Sequence, residues 1–241
     1  MANSILHKAN TRGHADHGWL DSWQTFSFAG YYNPERINFG VLRVLNDDKV
    51  DGGRGFGTHP HDNMEIISIP LEGDLEHKDN LGNVKIIRQG DIQVMSAGTG
   101  VFHSEYNKNA DRTAKFLQIW LFPNQLNVQP RYDQVTLDPA QRRNRLQQVL
   151  SPSADGEGTW IYQDAWFHMA DMDKGKKLTY TLKKQGNGIY IFVIEGAFSV
   201  DGQRLDRRDG LGLTELTEAN LMSLEENSEV LIMEVPMEIT V

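Results

Sequence analysis

The 241-residue chain contains no cysteine, which excludes disulfide bonds, zinc–thiolate sites and a thiol nucleophile. It is also poor in positive charge, because its 24 lysines and arginines are outnumbered by 33 aspartates and glutamates, for a formal net charge of −9. A surface that binds nucleic acid needs clustered lysine and arginine. We therefore expect no direct binding to nucleic acid, and we interpret Arg142, Arg143 and Arg145 as one charged face.

Long apolar runs are absent as well. No segment approaches the roughly 18 consecutive apolar residues of a membrane-spanning helix, and residues 1–12 lack the apolar stretch of a signal peptide. A chain without cysteine is compatible with a reducing compartment. We therefore predict a cytoplasmic protein that does not bind a membrane.

What the sequence does contain is a series of short apolar runs separated by stretches rich in glycine and other turn residues. Asn80–Asn83 and Asp201–Gly202 have the composition of hairpin turns, because asparagine, aspartate and glycine tolerate a positive φ. This texture predicts an all-β protein. Only Pro139–Leu150, with Asp138 as its N-cap, and Gln163–Met172 are predicted to be helical.

One local pattern occurs twice. A run that ends in Glu72-Gly73 is followed by a turn glycine at Gly82, and then by an Arg-Gln-Gly-Asp stretch that ends at Asp91. A run that ends in Glu195-Gly196, roughly 120 residues later, is followed by another turn glycine and an Arg-Asp-Gly stretch. We interpret the repeat as two copies of one small β-barrel.

The sequence Gly55–Glu65 carries two of the eight histidines, His59 and His61, on either side of Pro60. On a strand, residues two apart point to the same face with α-carbons about 6.6 Å apart, so both imidazoles could bind one metal. Pro60 favours extended backbone at His59 and cannot donate a hydrogen bond to a sheet. We therefore predict that this pair lies at a strand edge, a strand entrance or a bulge.

A second pair with the same spacing, His103 and Glu105, follows the glycine-rich stretch Ser96–Gly100. If both pairs lie on neighbouring strands, they supply three imidazoles and one carboxylate. This donor set suits a divalent first-row transition metal and leaves coordination positions for water or substrate.

The remaining histidines have simpler interpretations. His14 and His17 lie near Asp16 and Asp21 and could form a second metal site, but we favour a structured N-terminal loop with Trp19 and Trp23 packed into the core. His77 lies among charged residues and is predicted to be solvated. His168 is predicted to be a hydrogen-bonded core or interface residue. No histidine follows it, so the second barrel should not repeat the first site.

The two motifs resemble those of the cupin superfamily. Gly53, His59, His61 and Glu65 follow the spacing of the first cupin motif, with Gly73 one residue late. Gly90 and Gly98 follow the second motif, but Ser96 replaces its proline and His103 comes two residues late. Asn107 keeps its place relative to the histidine, since it is the fourth residue after His103.

Within the cupins, residues 8–137 resemble the N-terminal half of the pirins, and the rest resembles their degenerate C-terminal cupin more loosely. The segments that carry the likeness are Arg12–Leu20, Thr25–Phe28, Arg43-Val44, Gly57–His61, Met64-Glu65 and Ser96–Gly100. The resemblance implies a bicupin, two small jelly-roll barrels face to face with few short helices. It implies a metal-binding barrel over residues 1–137 and a barrel without metal ligands over residues 138–241.

The resemblance also addresses which acid binds the metal. Many cupins use the glutamate of the first motif, here Glu65, whereas pirins use the glutamate that maps to Glu105. The implied ligands are His59, His61, His103 and Glu105, with Glu105 also catalytic. On an ideal strand Glu65 would share a face with His61, four residues away, so it stays open as an alternative ligand or as a group that orients a histidine.

Pirins of this type are similar to quercetin 2,3-dioxygenases. The resemblance therefore implies a metal-dependent dioxygenase that cleaves a flavonol such as quercetin with O2 and releases carbon monoxide. The expected cofactor is Fe(II), with Ni, Co, Mn, Cu or Zn as alternatives, and the expected partners are a small aromatic substrate and O2, bound by a monomer. Two other interpretations remain open: an iron-containing redox-sensitive regulatory protein that binds a protein partner, and a metal that only braces the barrel.

Overall fold

The computed structural model describes residues 2–240, and nearly all of its regular structure is β-strand. The strands are β1 (Asn3–His7), β2 (Gly13–Asp16), β3 (Leu20–Gln24), β4 (Leu42–Val50), β5 (Gly55–His61), β6 (Glu65–Glu72), β7 (Asp74–Asp79), β8 (Val84–Arg88), β9 (Asp91–Ser96), β10 (Val101–Asn107), β11 (Ala114–Leu121), β12 (Arg131–Thr136), β13 (Gln147–Ser151), β14 (Thr159–Trp160), β15 (Trp166–Met172), β16 (Lys177–Thr181), β17 (Asn187–Glu195), β18 (Phe198–Val200), β19 (Gln203–Leu205), β20 (Gly210–Thr214), β21 (Glu218–Ser223) and β22 (Ser228–Pro236). Two 3₁₀ turns, Ala9–Thr11 and Pro139–Gln141, complete the regular structure of the described residues. The predicted all-β fold is confirmed, and no helix within residues 2–240 is long and apolar enough to cross a membrane.

The described chain forms two compact units. The first unit comprises residues 13–137, 159–163 and 239–240, and the second comprises residues 2–12, 138–158 and 164–238. Strand β1 thus belongs to the second unit, where it pairs with β20, and Lys8 just beyond it forms ion pairs with Asp206 and Asp209. We retain the break between Leu137 and Asp138 as a proposed domain boundary.

The two units repeat one strand order. In the first unit, the larger sheet contains the run β12-β9-β6-β11-β4, and the smaller sheet has the order β5-β10-β7-β8. In the second unit, the corresponding sheets contain β1-β20-β17-β22-β15 and β16-β21-β18-β19. Each strand of one series takes the place of its counterpart in the other, so the local repeat seen in the sequence extends to the topology of the whole unit.

The hairpin turns were predicted correctly, but the two helices were not. Asp138 does accept a hydrogen bond from the backbone N–H of Ala140 at 2.9 Å, yet the helix ends after a single 3₁₀ turn, and Asn144 then adopts a φ of 55°. The second segment contains β15, whose seven residues all pair with β22. Cross-strand pairing here overrides a weak local preference for helix.

In the first unit, apolar side chains from both sheets meet in one core. Leu75 and Ile87 come from the smaller sheet, and Val50, Ala114 and Phe116 come from the larger one. All five are almost fully buried. The two sheets therefore enclose a common interior, into which side chains of β5, β10 and β11 point.

The loop Ala97–Gly100, which connects β9 to β10, gives a test of this fold. Gly98 has a φ of 47°, and a Cβ atom at this position would collide with the backbone carbonyl oxygen of Val128. Gly82, in the β7–β8 turn, has a φ of 96° but open space where a Cβ would lie. Both Gly→Ala variants should lose about 1–2 kcal/mol from the unfavourable backbone conformation. Gly98→Ala should lose about 1–3 kcal/mol more from the collision.

Urea unfolding of both variants and the wild type measures this difference. Equal destabilisation by the two variants would show that the close approach of Val128 to Gly98 is wrong.

Candidate metal centre

His59 and His61 lie on β5, the edge strand of the smaller sheet, as the proline between them predicted. Pro60 lies opposite Phe102, and His59 lies opposite His103 on β10. The ring centroids of His59 and His61 are 4.8 Å apart. Both rings are half-buried and line one cavity of the first unit.

β10 lies between β5 and β7 and contributes the second pair, His103 and Glu105, to the same interior. A bulge in the β10–β5 pairing falls between these two residues. The ring of His103 lies 4.5 Å from that of His59 and 4.9 Å from that of His61. Each of the three histidines offers one ligand atom, and these atoms all lie within 4.8 Å of one another. The three side chains could therefore hold one metal ion.

His77 belongs to this site too, and its predicted exposure is wrong. The side chain is fully buried on β7, directly opposite Glu105, and it forms a second potential ligand group with His103 and Glu105. Its charged neighbours misled the prediction, since Glu76 and Lys78 pair with each other on the opposite face of the strand. The alternation of Leu75, His77 and Asp79 with these two residues is the signal that could have found it.

A chain of hydrogen bonds determines which nitrogen of His103 carries a proton. The Nε2 atom of His77 lies 2.9 Å from a carboxylate oxygen of Asp79, so it donates, and the Nδ1 atom of a neutral His77 must accept. The Nδ1 atom of His103 lies 3.4 Å from that acceptor and therefore donates to it. With His77 neutral, the lone pair of His103 is consequently on Nε2.

That Nε2 atom is buried and has no hydrogen-bond partner among the described residues. A buried nitrogen with a free lone pair is costly unless a donor or a metal ion satisfies it. In His59, too, a hydrogen bond places the lone pair on Nε2, since the Nδ1 atom donates to the carbonyl oxygen of Gly57 at 2.7 Å. The residues present thus fit a bound metal.

Burial also keeps two of these rings neutral. Burial, together with the neighbouring imidazoles, lowers the pKa of His61 to about 4 and the pKa of His103 to about 3. A metal binds only the unprotonated ring. Both rings are therefore ready to bind a metal at neutral pH.

Glu105 is held by two side chains of the larger sheet. Gln118 on β11 donates its Nε2–H to one carboxylate oxygen at 2.8 Å, and the hydroxyl of Ser68 on β6 lies 3.1 Å from the other. The same hydroxyl lies 2.7 Å from the side-chain oxygen of Gln118. Because a serine has one hydroxyl hydrogen, it can donate to only one of these two oxygens at a time.

Glu65 lies outside both groups of potential metal ligands in the described chain. The expectation that Glu65 shares a strand face with His61 is wrong, because β5 ends at His61. Asn63, with a φ of 44°, turns the chain before β6 begins. Its carboxylate instead accepts a hydrogen bond from the Ser96 hydroxyl at 2.6 Å. Burial raises the pKa of Glu65 to about 7.

His59, His61 and Glu105 line a cavity of about 680 Å³, a typical volume for a site that binds a small molecule. Several of its walls are aromatic. Phe28 meets Trp120 edge to face at 5.3 Å, and Trp120 meets His61 at 4.9 Å. Gln118 and Trp120 show which face of β11 lines the cavity, a choice that the alternation of this strand in the sequence leaves open.

His14 and His17 are exposed and also line this cavity, but neither belongs to a group of potential metal ligands within residues 2–240. The predicted N-terminal loop is a hairpin of β2 and β3. His14 stacks on Trp23 at 4.1 Å and lies 2.8 Å from a carboxylate oxygen of Asp21. Trp23 is only half-buried, whereas Trp19 packs against the core cluster to which Leu20 of β3 belongs, so the predicted packing into the core holds for Trp19.

His168, on β15 of the second unit, is buried as predicted, but its Nδ1 atom has no hydrogen-bond partner among the described residues, and its ring meets that of Tyr180 at 5.1 Å. Burial lowers its pKa to about 4. No group of potential metal ligands occurs in the described part of the second unit.

Comparison with known proteins finds a matching family model for each half of the chain. The family model described as Pirin matches residues 6–121, and the model described as Quercetinase C-terminal cupin domain matches residues 148–235. A protein named quercetin 2,3-dioxygenase from Escherichia coli (strain K12) is 41% identical over 231 residues, which cover 96% of this chain and 98% of that protein. A pirin-like protein from Caulobacter vibrioides is 38% identical over 221 residues, which cover 91% of this chain and 94% of that protein.

Among solved structures, the bacterial pirin YhhW from E. coli in complex with nickel(II) superposes with a TM-score of 0.91 at 39% identity. The match covers 97% of this chain and 99% of that one. A quercetin 2,3-dioxygenase from Acinetobacter baumannii shares the fold, with a TM-score of 0.78 at 21% identity, covering 98% of this chain and 88% of that chain. The predicted bicupin fold is thereby confirmed.

The role of His77 can be tested by replacing it. In His77→Phe a phenyl ring fills the same buried position but cannot accept a hydrogen bond from His103 Nδ1, so the tautomer of His103 is no longer determined. We expect the affinity for Ni(II) to fall by about 10–100-fold, as is typical when a group that orients a metal ligand is lost. Titration calorimetry with Ni(II) measures this change.

His17→Phe is the matched control, since His17 lies beside the same cavity but outside the metal-ligand groups. Unchanged affinity in His77→Phe would show that His77 does not orient His103.

Proposed function

The chain belongs to the pirin family, and we propose that it is a metal-dependent dioxygenase that cleaves a flavonol such as quercetin with O2 and releases carbon monoxide. One observation carries this proposal. His59, His61 and Glu105 line a cavity of about 680 Å³ with aromatic walls, which is large enough for a flat aromatic molecule, and His103 belongs both to the potential ligand group of the two histidines and to that of Glu105. Relatives named quercetin 2,3-dioxygenase support the choice of reaction.

In this proposal His59, His61, His103 and Glu105 hold a single divalent metal, and we propose Fe(II). The donor set also suits Ni, Co, Mn, Cu or Zn, and the E. coli pirin with the same fold is a complex with nickel(II). When bound, the ion would act as a Lewis acid that makes a substrate hydroxyl more acidic.

Glu105 would then accept the proton of that hydroxyl. Its oxygen beside Ser68 can carry a proton without loss of hydrogen bonds, because Ser68 can donate to Gln118 while its own oxygen accepts from Glu105. When Glu105 is ionised, Ser68 can donate to it instead, and Gln118 donates to the other carboxylate oxygen in both states. The network therefore suits a residue that gains and loses a proton during turnover.

The aromatic side chains around the cavity would bind and orient the substrate. Phe28, Phe56 and Trp120 present apolar surface to a flat ring and exclude water from it. This surface lies beside the histidines, so a bound aromatic would be held against the proton-accepting group.

A regulatory protein that binds a protein partner is the second candidate, and one observation favours it. Phe102 and Tyr106 are exposed, at 52% and 39%, and alternate along β10 with His103 and Glu105. An exposed pair of aromatics near the site could meet a partner. A regulator, however, does not need a substrate-sized cavity, which is why we place the enzyme first.

Turnover of quercetin tests the proposal. The purified protein is freed of metal, reconstituted separately with each of the six metals, and mixed with quercetin in the presence or absence of O2. We expect loss of quercetin absorbance together with release of carbon monoxide, only with metal and only with O2. An absence of turnover with every metal would reject the dioxygenase for this substrate.

Glu105→Gln separates catalysis from metal binding. The amide keeps the shape and one possible ligand oxygen but cannot take up the proton, so we expect kcat to fall by about 10²–10⁴-fold while most of the metal is retained. Glu65→Gln is the matched control, because Glu65 is equally buried but lies outside the ligand groups. Metal analysis, kcat and thermal unfolding are measured on both variants.

Loss of metal and stability in Glu105→Gln, in a protein whose wild type never turns over substrate, would instead favour a metal that only braces the barrel.

A further inference from the structure

Three buried side-chain oxygens on one wall of the cavity have no hydrogen-bond partner among the described residues. They are Gln24 Oε1, Asn46 Oδ1 and Asp48 Oδ1, in residues that are 3%, 2% and 4% exposed. All three residues line the cavity that adjoins the histidines. We call them the acceptor row.

The strand register explains why they lie together. Gln24 on β3 is directly opposite Asn46 on β4, and Asp48 follows two residues along β4 on the same face. Both strands belong to the larger sheet, whereas the histidines lie on β5 and β10 of the smaller one. The cavity therefore has potential metal ligands on one sheet and hydrogen-bond acceptors on the other.

An unpaired buried oxygen is costly, and a ligand that supplies a donor removes that cost. Neither lysine nor arginine is among the described residues that line the cavity, so no side chain with a permanent positive charge is there to pair with a carboxylate or phosphate group of a ligand. Hydroxyl groups on a neutral molecule fit better, because each can donate to one acceptor. The aromatic walls favour a flat ring as the carrier of these groups.

We propose that the acceptor row selects a neutral polyhydroxylated aromatic by accepting hydrogen bonds from hydroxyl groups other than the one that reacts. This inference rests on the proposed function, since the ligand is the substrate of the same site. It adds that Gln24, Asn46 and Asp48 determine which substrates bind, through specific hydroxyl groups of the ligand.

Binding of two probes without O2 tests the proposal. Quercetin carries several hydroxyl groups, whereas 3-hydroxyflavone carries only the one that the two molecules share at the reacting position. Dissociation constants are measured on zinc-loaded protein by tryptophan fluorescence. In Asn46→Leu and in Asp48→Leu we expect the affinity for quercetin to fall about tenfold, as for one lost hydrogen bond to a buried group, and the affinity for 3-hydroxyflavone to change less than about twofold.

Gln93→Leu is the matched control. Gln93 on β9 also has a buried side-chain oxygen without a partner among the described residues, but it does not line the cavity. Its variant should bind both probes as the wild type does. Each of the three leucine variants removes an unsatisfied oxygen, although Asp48→Leu also removes the hydrogen bond of Asp48 with Ser22, so thermal unfolding of the metal-free proteins shows whether each variant is folded. Gln24→Met provides a further test if Asp48→Leu does not fold.

The outcomes separate this inference from the proposed function. Loss of the preference for quercetin in Asn46→Leu and Asp48→Leu supports the acceptor row, even if the wild type shows no turnover. Equal weakening of both probes, or the same loss in Gln93→Leu, overturns it. If the wild type turns over quercetin but the variants keep the preference for quercetin over 3-hydroxyflavone, the acceptor row is wrong and the proposed dioxygenase activity is unaffected. Failure of both probes to bind the wild type rejects this class of ligand altogether.

Discussion

The antiparallel register between β5 and β10 is the constraint on which the rest of the site depends. It places His59 opposite His103, and the alternation of each strand then brings His61 and Glu105 to the same interior. A shift by one residue would turn all of these side chains to the other face, where Phe102 and Tyr106 now lie. On its other side β10 pairs continuously with β7, which places His77 opposite Glu105.

The second unit shows what the same arrangement of strands becomes without ligands. Its strands β16 and β21 take the places of β5 and β10, and they pair Leu178 with Leu221 and Tyr180 with Ala219. All four contribute to an apolar core or pack against it. The fold therefore does not create the metal-binding geometry by itself, which comes from a few polar residues placed where the other unit has apolar ones.

How much could be predicted from the sequence depended on how far apart along the chain the interacting residues lie. Two-residue spacing was enough to pair His59 with His61 and His103 with Glu105, because parity is a local property of a strand. The fourth histidine was missed because charged neighbours were given more weight than the alternation of β7. Glu65 was left open because the end of β5 could not be seen, although Asn63 can adopt a positive φ more easily than most residues.

The acceptor row lies beyond what a single sequence can reveal. Gln24 and Asn46 are far apart along the chain, and only the register of β3 against β4 brings them together, beside histidines that lie on a different sheet. The helix predicted after Asp138 failed for a related reason. The cap was identified correctly from local chemistry, but the strands that follow are determined by pairing with distant segments of the chain.

Pro60 has an effect that extends past the two histidines it separates. It lies opposite Phe102 and has no N–H to donate, so its missing donor is on the side of β5 that faces away from β10. That side is the edge of the smaller sheet. An unpaired strand there would otherwise offer an uninterrupted row of backbone N–H and C=O groups to any extended segment of another protein. The residue that favours an extended strand for metal binding thus also protects that strand from edge-to-edge aggregation.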